Sequence, residues 1–174
     1  MVELVVPDVA LQKSWLESLD EWGSVAQDGS GYHPDQHEVR SAEGFAAWVK
    51  YLRERSDPST PMEPGFVHAT HWWIVEDGEY LGAIALRHSL TDKLLEAGGH
   101  IGYGVRPSAR GRGLAAWALG EVVKRARELG LERVMVSCDA ANVASAKTIE
   151  RNGGVLEDIR ETWLGTARRY WITT

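Results

Sequence analysis

Between Val105 and Leu114 the chain reads VRPSARGRGL, three arginines and two glycines set between an apolar run and a long amphipathic segment. A strand that hands over to a helix exposes N–H groups with no acceptor in a preceding turn. The helix dipole adds roughly half a positive charge at the same place. Gly111 and Gly113 remove the Cβ atoms that would hold an anion away, and the arginines supply charge-assisted bonds. Pro107 cannot donate and fixes the turn. We read the stretch as a cradle for phosphate, with room and charge for a diphosphate.

The rest of the chain makes this cluster an exception. The net charge is −6 over 174 residues, which argues against a nucleic-acid partner, because backbone contacts need a broad basic surface. A small anionic ligand explains the local arginines better. The length suits one domain with a sizeable core. No apolar run reaches the ~20 residues that span a bilayer, and no basic-then-apolar leader opens the sequence, so no membrane partner is expected. The one cysteine, Cys138, has no internal partner, which fits a reducing cytoplasm.

Periodicity orders the elements. VELVV reads as a strand, and Val9, Leu11, Trp15, Leu16 and Leu19 follow at helical spacing. After a polar loop, Ser41 caps a helix whose face carries Phe45, Trp48, Val49 and Leu52. The segment SDPSTPMEPG is irregular. Two β-type runs then flank Asp77-Gly78, a hairpin signal. SLTDKLLEAGG reads as a loop and HIGYGV as a strand. Leu114 to Leu129 is an amphipathic helix, ERVMVSC a buried strand, and Asn142 caps a helix that stops at Asn152-Gly153. Two strands turning at Gly165 close the chain. The expected class is α+β, a mixed, mainly antiparallel sheet of about seven strands with four helices. His100 to Cys138 should form its one parallel, right-handed crossover.

Three diphosphate motifs compete for the turn. A Walker A loop is absent. Gly111-x-Gly113-x-x-Ala116 fits the dinucleotide fingerprint, but Arg106 to Arg110 separate it from the strand end, and only about 35 residues follow Asp139. The third pattern, Arg/Gln-x-x-Gly-x-Gly/Ala, is met by Arg110 to Ala115. Here the sequence resembles the GNAT superfamily of acetyl-CoA-dependent N-acetyltransferases. HIGYGVRPSARG is similar to that family's fourth strand and pyrophosphate loop, and SCDAANVASAKTIERNGGVLED to its fifth strand, following helix and return strand. The resemblance runs from about Trp72 to Trp171.

The resemblance implies residues 67–174 as an acetyl-CoA-binding core and 1–66 as a variable substrate-side part of one domain. It implies a V-shaped split between the fourth strand (100–105) and the fifth (132–138), with pantetheine pairing along Tyr103, Gly104 and Val105. Gly111, Arg112, Gly113, Leu114 and Ala115 would give amides to the diphosphate, with Arg106, Arg110 and Arg112 around it and Asn142 on the pantetheine. The tyrosine that many members place seven residues after this asparagine is here Ile149. His100 and Tyr103 are the candidate catalytic residues, with Glu76 and His88 behind them. Cys138 reads as a core residue. His33/His37 and His68/His71 lack a third ligand, so no metal is expected. The acceptor is a small-molecule or peptide amine. The alternatives are a CoA-binding sensor without turnover and a transferase using another acyl donor. RRYWITT at a sheet edge would allow a homodimer.

Overall fold

In the computed structural model, which describes residues 1–174, Asp77 and Gly78 adopt φ of 51° and 79°. They close the hairpin between β2 (Ala69–Glu76) and β3 (Glu79–Arg87). Positive φ at both positions gives the type I′ twist that right-handed strands need. β1 (Val2–Val5) pairs with β2 until Pro7, and β4 (Ile101–Val105) pairs with β3, so the first sheet runs β1-β2-β3-β4. A second sheet, β5-β7-β6, contains β5 (Arg133–Asp139), β6 (Val155–Thr162) and β7 (Gly165–Thr173).

Helices cover both faces. α1 (Gln12–Trp22) and α2 (Ala42–Glu54) bury Trp15, Phe45, Trp48 and Leu52 against Trp73, Val75 and Tyr80 on one face of the first sheet. Ser41 caps α2 by accepting from the Gly44 N–H at 3.0 Å. On the opposite face α4 (Leu114–Glu128) and α5 (Val143–Arg151) share one core with both sheets. That core runs from Ile84 and Ile101 through Leu119 and Val122 to Val136 and Ile172.

Three expectations are corrected. SLTDKLLEAGG is not all loop: Thr91 accepts from the Leu94 N–H and caps a fifth helix, α3 (Asp92–Glu96). Five residues are too few for an apolar stripe, so periodicity had nothing to register. The parallel pairing of β4 with β5 is not a ladder; every ladder present is antiparallel. RRYWITT is not an edge either, since β7 lies between β5 and β6 and the free edge belongs to β6.

One residue joins the two sheets at the vertex of the split. The His100 backbone N–H donates to the Met135 carbonyl at 2.8 Å, and the Met135 N–H donates to His100 Nδ1 at 2.9 Å. Nearby, the buried Arg169 on β7 donates to the carbonyls of Leu95 and Glu96 and to Asp158, tying α3 to the second sheet.

Candidate active site

The turn after β4 begins as a 3-10 turn, Pro107–Ala109, and reaches α4 through Gly111 and Gly113 at φ of 79° and 76°. Gly113 occupies the N-cap and offers no side chain to the first turn. The amides of Gly111, Arg112, Gly113, Leu114, Ala115 and Ala116 find no acceptor in the protein; the first intrahelical bond is Trp117 N–H to Gly113 O. A Cβ on either glycine would meet nothing within 4 Å, so the cradle opens to solvent. These donors converge on the positive end of α4 and suit an anion.

The arginines divide differently from expectation. Arg106 is buried and turned away from the cradle: its guanidinium holds Glu21 of α1 at 2.5 Å and donates to the Tyr80 carbonyl. The expectation that Arg106 flanks the diphosphate is therefore corrected; an unpaired guanidinium at that depth would be costly, and Glu21 compensates it. Glu21 also accepts from the Ser108 N–H and hydroxyl. The Arg106 bonds, more than the others, bring its carboxyl down to about 2. Arg110 lies over the Trp22 ring at 4.9 Å and donates to the Val105 carbonyl. Arg112 pairs with Glu76 at 2.7 Å, which occupies the second-string base candidate. Arg110 and Arg112 remain exposed at the cradle.

Along β4 the antiparallel alternation decides which groups face the split. Arg87 N–H to His100 O and Arg106 N–H to Leu81 O point the even-numbered residues at β3. Ile101, Tyr103 and Val105 therefore direct backbone groups toward β5. Gly104 faces the other way, registered with Ala83, and is corrected as a pantetheine contact. Gly102 and Gly104 do permit a close approach, but of the protein itself. A Cβ on Gly29 would run into the Gly102 carbonyl, and a Cβ on Gly104 would lie 3.0 Å from the Asp28 carbonyl. The α1–α2 loop thus rests backbone-to-backbone on β4.

The Tyr103 side chain crosses the split to the first turn of α5, where its hydroxyl meets Ser145 Oγ at 2.6 Å. Burial pushes the phenol up to about 12, against the Ser145 bond. Asn142 caps α5 by accepting from the Ser145 N–H at 3.1 Å, leaving its amide N–H groups to donate elsewhere. Ile149 is fully buried. Cys138 sits half-buried at the split, its thiol pKa raised by burial.

His100 cannot serve as a base in this arrangement. Its Nδ1 lone pair takes the Met135 N–H, so the ring is neutral with its proton on Nε2. Burial, then Arg87, depress its pKa to about 4. Of the remaining histidines, His88 bonds Thr70 and stacks on His68, and His37 Nδ1 accepts the His33 N–H. No group of three or more His, Cys, Asp or Glu side chains is arranged to hold a metal ion. A cavity of about 430 Å³ lies between the cradle's outer side and the β2–β3 turn, where Glu17, Glu76, Asp77 and Glu79 outnumber the arginines.

Sequence reasoning missed Glu21 and Asp28. Glu21 in the last turn of α1 and Asp28 in the α1–α2 loop read as ordinary surface acids in the pattern, and only tertiary contact brings them to the cradle and to β4.

The family model for the acetyltransferase (GNAT) domain matches residues 16–155. No curated protein matches in sequence. Among solved structures, the Salmonella typhimurium acetyltransferase that modifies the N-terminal serine of ribosomal protein L7/L12 aligns at 18% identity. Its TM-score is 0.69, over 99% of this chain and 95% of that one. RimJ of Mycobacterium smegmatis, solved with CoA-disulfide, gives 17% and 0.73 over 99% and 82%. The microcin C7 self-immunity acetyltransferase MccE, solved with acetyl-CoA and AMP, gives 15% and 0.68 over 99% and 92%. At such identities these likenesses speak to the fold. No helix is long and apolar enough to cross a membrane.

Proposed function

This chain belongs to the GNAT family of acetyltransferases, and from that premise we propose that it moves the acetyl group of acetyl-CoA to a primary amine of a peptide or small molecule by direct attack. The observation that carries the reading is the run of amides from Gly111 to Ala116, without acceptors, at the start of α4. It directly follows β4, whose outer edge has no partner strand, the Val105 carbonyl there being held by Arg110. Residues 67–174 form the acetyl-CoA half and 1–66 the acceptor half.

The residues present fit the donor. Amides of Gly111 to Ala115 would hold its diphosphate, helped by Arg110 and Arg112. The Tyr103 and Val105 backbone would pair with the pantetheine as an added strand, and Asn142 would donate its amide N–H. Acetyl-CoA supplies the thioester whose carbonyl carbon the amine attacks. Tyr103, whose hydroxyl reaches across the split to Ser145, would serve as the donor to the departing sulfur in place of the phenol that Ile149 lacks. Its pKa of about 12 lies about 3.5 above an ordinary thiol, a gap of about 5 kcal/mol, so it holds its proton. Tyr103 therefore lends the sulfur a hydrogen bond, with Ser145 steadying the hydroxyl.

Calorimetry of the intact protein with acetyl-CoA, followed by thiol release across a panel of amines, tests the reading. Because the Salmonella neighbour acts on an N-terminal serine, peptides with free N-termini head the panel. Micromolar binding with steady thiol release is expected. No binding at high micromolar acetyl-CoA refutes the function, and tight binding without turnover on any amine turns the molecule into a CoA sensor.

A further inference from the structure

Resting on the acetyltransferase reading, we propose that Asp28, in the α1–α2 loop, is the catalytic carboxylate that holds the acceptor's ammonium and takes its proton. Three glycines, Gly29, Gly102 and Gly104, set how closely the loop lies on β4. Gly29, at φ 77°, cannot carry a Cβ without striking the Gly102 carbonyl, and Gly104 leaves only 3.0 Å between a would-be Cβ and the Asp28 carbonyl. Side chains at these positions would lift the loop off β4. With glycine at all of them, Asp28 is pinned to the strand whose other edge lines the split.

Strand polarity then places the carboxylate relative to the chemistry. The cradle lies beyond Val105, so a carrier gripped there runs back along β4 toward the His100 vertex. Its thioester end would fall alongside Gly102 to Tyr103, the part of β4 against which Asp28–Gly29 packs. Asp28 keeps solvent access and has no ion-pair or hydrogen-bond partner, unlike Glu21 and Glu76, which are bound to arginines. Around it stand Arg87 from β3, fixed by the Gly98 and Gly99 carbonyls, and Tyr103 from β4. Protein crowding raises the carboxyl's pKa, and Arg87 opposes this. Both the charge and the vacant acceptor oxygens suit a cation.

The ammonium gives one proton to Asp28, and the freed amine nitrogen forms its bond to the thioester carbon. The carbon–sulfur bond breaks with its electron pair on sulfur. The second proton of the nitrogen ends on that sulfur, giving amide and thiol, and Asp28 returns its proton to solvent. A carboxylate base favours an α-ammonium, with pKa about 7.7–8.0, over an alkylammonium near 10.4 by about 300-fold in the proton-transfer equilibrium. Peptide N-termini are therefore the better acceptor class.

The test compares wild type with Asp28→Asn on acetyl-CoA and a lysine-free hexapeptide with a free N-terminus. Expected is a kcat/KM loss of at least 100-fold at pH 7 that narrows toward pH 9 as the free amine accumulates, with unchanged acetyl-CoA affinity and Tm. Retention of activity within threefold from pH 6 to 9 overturns the assignment while leaving the acetyltransferase reading intact. If wild type does not turn the peptide over, its binding to the protein saturated with CoA decides. Tenfold weaker binding by Asp28→Asn supports the proposal, and equal binding, or none by wild type, overturns it. Failure of wild type to bind acetyl-CoA overturns function and assignment together.

Discussion

Replacing His100 separates a structural role from a catalytic one. Alanine removes the acceptor of the Met135 N–H, and Met135 is fully buried. A buried donor left without a partner costs about 1–3 kcal/mol, and losing a ring that is only 6% exposed adds packing loss. The expected sum, about 2–4 kcal/mol, lowers Tm by roughly 5–12 °C in a chain of this size. Asparagine presents Oδ1 where the ring presents Nδ1, so His100→Asn should regain most of the loss and keep turnover. Acid supplies a second readout. His100 is held neutral, with a folded pKa of about 4 against 6.5 unfolded. The unfolded chain thus binds the extra proton, and stability is full above pH 6.5 and falls as pH drops toward 4, by up to ~3 kcal/mol. His71, depressed to about 3 by burial and two arginines, pulls the same way, so wild type minus His100→Asn isolates the His100 share. Urea unfolding from pH 4 to 8 measures both effects. An alanine variant as stable as wild type refutes the clasp, and a well-folded asparagine variant without activity would restore His100 as a base.

Other outcomes test the cradle and its supports. Gly113→Asp should weaken acetyl-CoA binding at least tenfold in calorimetry while circular dichroism stays native, because it brings a carboxylate to a row of amides meant for phosphate. Glu21→Gln should cost about 3 kcal/mol in urea unfolding by leaving buried Arg106 uncompensated. In wild type the Glu21 contribution is present above pH 4.5 and is lost as pH falls toward its folded value of about 2. Tyr103→Phe should lower kcat about 10- to 150-fold with acetyl-CoA affinity preserved, since one hydrogen bond to developing negative charge is worth about 1.5–3 kcal/mol; an unchanged kcat would remove the phenol from the chemistry.

Local chemistry explains what was legible in the chain. Asp77-Gly78 forms its hairpin and Ser41 and Asn142 cap their helices because each effect is completed within a few residues. The cradle was readable for the same reason: its glycines, its proline and the helix start are contiguous. Arg106 misled because charge alone cannot tell a ligand's partner from a buried one. Its fate is decided by Glu21, far away in the chain, and by the depth at which β4 ends. His100 misled similarly. A histidine at a strand start suggests a base until β5 brings the Met135 N–H to its ring.

Asp28 was hidden for a different reason. Its position is coded by missing side chains, Gly29, Gly102 and Gly104, and missing atoms leave no mark on hydrophobic periodicity. Against the two glycines of β4 the structure puts the α1–α2 loop. That contact has a consequence for how the split stays open. A five-residue strand paired on one side only, at β3, has little to hold it apart from β5 once their vertex is joined at His100. The loop clamps β4 from one face, and Glu21 with Arg106 anchors its far end to α1. If the loop is what holds the gap, Gly102→Ala should raise the Kd for acetyl-CoA although residue 102 faces away from it. The alanine methyl would sit 3.3 Å from the Gly29 nitrogen and shift the loop outward by a few tenths of an ångström. Unchanged affinity in that variant would mean that β4 holds its own shape and the loop merely rests on it.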